Sequence, residues 1–140
     1  MKEELISFKT AKLAREKGFI NKDVDSFYND DGTFELNPIN YEDKKEVLSK
    51  GFSLRYDIYL APTQALLQKY IRDVHNIHIS IDSYGEGGEC KYLYSLSYTY
   101  SVDKMIELEL DDLNIVGMNF DIFEEALEIG LQEELKLIKI

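Results

Sequence analysis

Apolar residues recur along this chain with two different periods, and the switches between them predict helices interleaved with strands. Ser7, a residue whose hydroxyl caps exposed backbone N–H groups, opens a helix that closes before Gly18. Phe8, Ala11, Leu13 and Ala14 give it a weak apolar stripe, opposed by Lys9, Lys12, Arg15, Glu16 and Lys17. Residues 21–50 are polar and turn-rich, with turn signals at Asn29-Asp30-Asp31-Gly32 and Asn37-Pro38 and a short strand at Phe34 and Leu36. Leu54, Tyr56, Ile58 and Leu60 then alternate with period two, which puts four apolar side chains on one strand face.

Pro62 suits the first turn of the next helix, where its missing N–H costs nothing. Leu66, Leu67, Tyr70, Ile71 and Val74 fall on one side of that helix, which ends near Asn76. Ile77, Ile79 and Ile81 alternate with His78, Ser80 and Asp82 as a strand. Tyr84-Gly85-Glu86-Gly87-Gly88-Glu89 is a turn, and residues 91–102 return as the second half of a hairpin. Ile106, Leu108 and Leu110, alternating with Glu107 and Glu109, predict a third strand.

In the last helix Asp121 and Glu124 have capping-box spacing. Phe123, Ala126, Leu127, Gly130, Leu131, Leu135 and Ile138 form its stripe, with Glu125, Glu128, Gln132, Glu133 and Lys136 toward water. Gly130 costs an exposed helix about 1 kcal/mol relative to Ala, so a close helix-to-sheet contact is expected there. Hairpin strands flanked by helices predict an α+β fold: a small antiparallel sheet of three to four strands with about three helices packed on one face. No repeat or Gly/Ser/Pro-rich linker interrupts residues 1–140, so a single domain is expected.

Composition narrows the function classes. The 140 residues carry 27 acids against 16 Lys plus Arg, a net charge of −11. Phosphate backbones draw their affinity from cationic side chains, so direct nucleic-acid binding is not expected of this surface. The excess is uneven: residues 103–140 hold 11 acids and three lysines, a net of −8, whereas residues 1–102 carry −3. A solvated polar face explains this most simply. A basic protein partner is the specific alternative, and acidic mimicry of DNA against a host protein is a further one. One cysteine, Cys90, excludes an intramolecular disulfide and a multi-cysteine zinc site. The opening Met1-Lys2-Glu3-Glu4-Leu5-Ile6 is too polar for a signal peptide, and no segment has the apolar length of a membrane span. The expectation is a cytoplasmic protein with no membrane role.

Two groups of side chains are candidates for a site. Tyr92, Tyr94, Leu96, Tyr98 and Tyr100 share one strand face, either as a binding platform or as a layer packed under helices with its hydroxyls at the margins. His75, His78, Asp82 and Cys90 are the one group with metal-ligand chemistry, and Tyr84 stands beside them. The His-x-x-His pair straddles a helix end and a strand start. His78 and Asp82, four residues apart on a strand, are separated by about 13 Å, beyond one ligand shell. No metal and no cofactor is therefore expected. Gly85-Glu86-Gly87-Gly88 lacks the Lys and Ser/Thr of a phosphate loop, and Cys90 has no visible base, so no catalytic residue is assigned.

Three segments, residues 6–19, 61–79 and 123–138, are together similar to a family of small uncharacterised proteins that recurs in phages, prophages and mobile elements of Bacteroidetes bacteria. The resemblance implies expression inside a bacterial host cell and supplies no activity. The functional expectation is a small non-enzymatic binding protein acting on a protein partner, with a homodimer as one form of that interface. The binding residues would be Tyr92, Tyr94, Tyr98, Tyr100, His78 and Asp82. The alternative is a small-molecule or nucleotide-binding domain or enzyme with a pocket near His75, His78, Asp82 and Tyr84.

Overall fold

The structure, a computed structural model, describes residues 4–21, 24, 26–36 and 58–139. The predicted turn at Asn37-Pro38 and the strand positions Leu54 and Tyr56 lie outside them. The class is α+β, and the chain forms two compact units, residues 1–63 with 139–140 and residues 64–138. Two three-stranded antiparallel sheets stand where the pattern predicted one.

In the first unit, α1 (Phe8–Glu16) begins as expected: the Ser7 hydroxyl accepts from the Thr10 N–H at 3.2 Å. It ends in a Schellman turn, with the Phe19 N–H on the Ala14 carbonyl, the Gly18 N–H on the Arg15 carbonyl and Gly18 at φ +83°. Strands β1 (Ser26–Asn29), β2 (Phe34–Leu36) and β3 (Ile58–Leu60) form a sheet in the order β2-β1-β3. The turn predicted at residues 29–32 joins β1 to β2. Ile58 and Leu60 are buried on one face of β3, and Ala11 and Ala14 are buried on α1, which packs on that strand.

The second unit opens with α2 (Gln64–His75), two residues after Pro62, which therefore precedes the helix instead of occupying its first turn. Gln64, Leu67 and Ile71 are its buried residues, whereas Val74 is 54% exposed, so the apolar stripe stops a turn early. Asn76 at φ +58° breaks the helix into β4 (Ile77–Glu86). A two-residue Gly87-Gly88 turn, both at positive φ, leads to β5 (Glu89–Tyr98) in unbroken register from Ile77 opposite Tyr98 to Glu86 opposite Glu89.

The predicted third strand is not one. Residues 102–107 form a short helix, α3 (Val102–Glu107), because Ser101 caps it by accepting from the Lys104 N–H at 3.2 Å. A helical cap outweighs a period-two signal of three residues. The third strand is β6 (Ile115–Phe120), which completes the order β4-β5-β6. The last helix, α4 (Phe123–Leu137), has Ile122 at its N-cap with no side-chain cap. Asp121, expected to cap it, instead takes the ammonium of Lys91. The helix is buried more widely than its stripe: Gln132, assigned to water, is 5% exposed and Glu134 is fully buried. No helix among the described residues is long and apolar enough to cross a membrane.

Candidate functional site

The tyrosine stripe is divided by the layer above it. Tyr94 is 6% exposed because α4 lies against this face through Gly130, where an added Cβ would overlap the Ile79 side chain and stand 3.2 Å from Tyr94 Cγ. The helix-to-sheet contact expected at this glycine is present. Leu96 is buried beside it. Tyr92 is half-buried and meets Phe123 edge-on at 6.1 Å, and Tyr98 lies 5.9 Å from Tyr100, whose hydroxyl takes the Asn76 side-chain amide at 3.3 Å. Burial pushes the Tyr94 phenol above its ordinary range, with Glu133 adding to the shift and Lys136 opposing it. Three of the four tyrosines thus remain partly open around a covered centre.

The opposite face of the sheet carries His78 and Asp82 on β4, opposite Ser97 and Leu93. Asp82 is exposed. His78 Nδ1 is shielded without a hydrogen-bond partner, as is His75 Nε2 at the end of α2, where burial holds the His75 imidazole below its ordinary pKa. The His75 ring leans edge-on against Tyr70 at 5.7 Å. Cys90 is exposed and pairs with Gly85, seven residues up the hairpin from His78 and so about 23 Å away at the rise of a strand. The His/Asp/Cys group is therefore not drawn together. Among the described residues no three His, Cys, Asp or Glu side chains converge on a cation position.

The feature that sequence reasoning missed is the segment from Ser101 to Phe123. None of the α3 residues is buried, and Val102 and Ile106, one helical turn apart, are 75% and 71% exposed. A Schellman turn ends α3, with the Leu110 N–H on the Met105 carbonyl and the Glu109 N–H on the Ile106 carbonyl. Glu109 takes the left-handed position at φ +57°, which glycine normally fills. On β6, Val116 and Met118 are 56% and 53% exposed on the face of the sheet away from α4, and Ile122 follows at 50%. Six acids and one lysine, Lys104, lie among these apolar side chains from 102 to 123. Lys104 pairs with Glu107 at 3.5 Å, and among the described residues no Lys or Arg pairs with Glu109, Asp111 or Asp112. The sequence held two signals for this segment: Ser101 followed by Asp103 as a helix start, and the β-branched pair Ile115-Val116 after the turn-rich Asp111-Asp112-Leu113-Asn114.

Comparison with protein-family models, with curated proteins and with solved structures finds no match to this chain.

Proposed function

We propose that this chain is a small interaction protein whose binding surface is the segment from Val102 to Phe123, and that its partner is a protein with basic residues around an apolar patch. One observation supports this above the others: α3 is held by caps at both ends yet buries nothing, and it presents Val102 and Ile106 to solvent. A helix that contributes no core to its own unit gains its value from what it displays. Exposed apolar side chains recur along the same stretch of chain at Val116, Met118 and Ile122, side chains of the kind that protein interfaces bury. The acids around them favour cationic partners and repel acidic ones, which supplies specificity and speeds encounter.

Charge also argues against self-association through this surface, because a second copy would bring the same acids face to face. The tyrosine face, with Tyr94 covered, serves the fold at its centre and offers only the margins at Tyr92, Tyr98 and Tyr100. The test is a photo-reactive amino acid placed at Ile106, with a control carrying it at the exposed Lys69. A basic protein cross-linked from position 106 and lost on raising salt is the expected result. Equal labelling from both positions, or a second copy of this chain as the product, would overturn the reading.

A further inference from the structure

We propose that the partner binds as an extended, lysine- or arginine-bearing segment that adds a fourth strand to the sheet along the outer edge of β6. Strand addition presupposes that the 102–123 surface is a protein interface, and it specifies how that interface is engaged. β6 ends the order β4-β5-β6, and among the described residues nothing pairs with its outer side. The inner side is fixed by β5, with Ile115 opposite Leu96, Val116 opposite Ser95 and Gly117 opposite Tyr94. In an antiparallel ladder alternate residues direct both N–H and C=O away from the neighbour, so half of the groups from Ile115 to Gly117 face outward. Farther along, Met118 and Asn119 together stand opposite Leu93 as a bulge, which confines the regular open edge to the stretch before it.

Natural proteins protect such edges with lysine, proline, an inward-pointing charge or a β-bulge. β6 reads Ile-Val-Gly-Met-Asn-Phe and has only the bulge past Gly117, which leaves the stretch from Ile115 to Gly117 as regular strand. Its neighbours in the chain carry charge of one sign: Glu109, Asp111 and Asp112 precede it and Asp121 follows it. These acids decide between occupants. In a β6-to-β6 pair related by a twofold axis, Asp111 and Asp112 of one copy would meet Asp121 of the other, so a second copy is disfavoured. An incoming strand with valine, isoleucine or leucine on the side of Val116 and Met118, and a cation at the end beside Asp111 and Asp112, satisfies backbone, apolar face and charge together.

The experiment titrates the full-length chain with a blocked heptapeptide of alternating lysine and valine, and follows amide hydrogen exchange and backbone NMR shifts. Saturable binding is expected, with slowed exchange at alternate residues between Ile115 and Met118. A peptide N-methylated along one edge should bind about tenfold more weakly or worse, since it removes the backbone donors that would pair with β6. Val116→Lys, at an exposed position, should weaken binding without altering the fold. If the methylated and unmethylated peptides bind alike, or no β6 amide is protected, strand addition is wrong while cross-linking from position 106 still stands. If the plain peptide does not bind, strand addition is likewise overturned, and the interface reading is judged by the cross-link alone.

Discussion

Gly117 on β6 lies directly opposite Tyr94 on β5, and the Tyr94 ring occupies the space where any Cβ at position 117 would stand. A large aromatic laid over a cross-strand glycine covers backbone that would otherwise be wet. From the other side, Gly130 on α4 brings its backbone against the same ring and against Ile79. One buried tyrosine is thus seated by two glycines from two elements.

Both glycines should resist replacement. Gly130→Ala would gain about 1 kcal/mol in an exposed helix, but here the new methyl meets a packed layer. Each substitution is expected to lower the unfolding free energy by roughly 1–3 kcal/mol, the range for overpacking a core. Gly117→Ala should be the worse, because it confronts a rigid ring, whereas Gly130→Ala meets the terminal methyl of Ile79 first. Denaturant titration of both variants checks this; a stabilised Gly130→Ala would refute it.

Glu134 should set a pH dependence on stability. It is fully buried, neither carboxylate oxygen has a hydrogen-bond partner, and burial pushes its pKa up to about 8 against a weaker opposing pull from Arg72. The folded state therefore favours the protonated acid. Its contribution is complete below the ordinary glutamate pKa and is lost as pH rises toward about 8. From this group alone the slope is up to about 1.4 kcal/mol per pH unit within that window. Glu134→Gln, which keeps the shape of the neutral acid, should flatten the decline in denaturation midpoints measured from pH 5 to pH 8. Parallel profiles for the two proteins would show that Glu134 does not titrate in this way.

Two serines do the same chemistry with different reach. Ser7 caps α1, whose Thr10, Ala11 and Ala14 are buried, so Ser7→Ala should cost about 1 kcal/mol of global stability. Ser101 caps α3, which buries nothing. Ser101→Ala should leave the melting temperature nearly unchanged while accelerating amide exchange at Lys104 and Met105. Glu109→Gly should act in reverse, slowing exchange in α3 by relieving the left-handed residue at its end. Equal losses of melting temperature in the two serine variants would contradict this division.

Much of this architecture is legible in the chain. Local rules located α1, with its Ser7 cap and Gly18 close, and also the hairpin about Gly87-Gly88, because caps and turns depend on residues within a few positions of each other. Periodicity found α4, and even its glycine's purpose. It failed where the signal was short or where burial came from more than one side. Ile106, Leu108 and Leu110 alternate like a strand, yet a cap at Ser101 makes the first of them helical and leaves it in solvent. Gln132 reads as part of a wet face, and only tertiary packing puts it inside, along with Glu134. The tyrosine stripe was visible as a stripe, but which of its members would be covered depends on two glycines far apart in sequence. The exposure of α3 and of the outer face of β6 depends on the same long-range packing, since exposure is set by what the rest of the chain fails to cover.

The Gly87-Gly88 turn has a consequence for the order of events in folding. It closes the longest strand pair among the described residues over the shortest loop a hairpin allows, so its contacts cost little chain entropy and form on the scale of roughly 1–10 μs. β6 and α4 must travel farther to reach that ladder. A circular permutant opened between Gly87 and Gly88, with the original ends joined, converts this local pairing into a distant one. It should fold markedly more slowly while reaching the same native contacts, which would make two glycines with no side chains the pacemaker of the second unit.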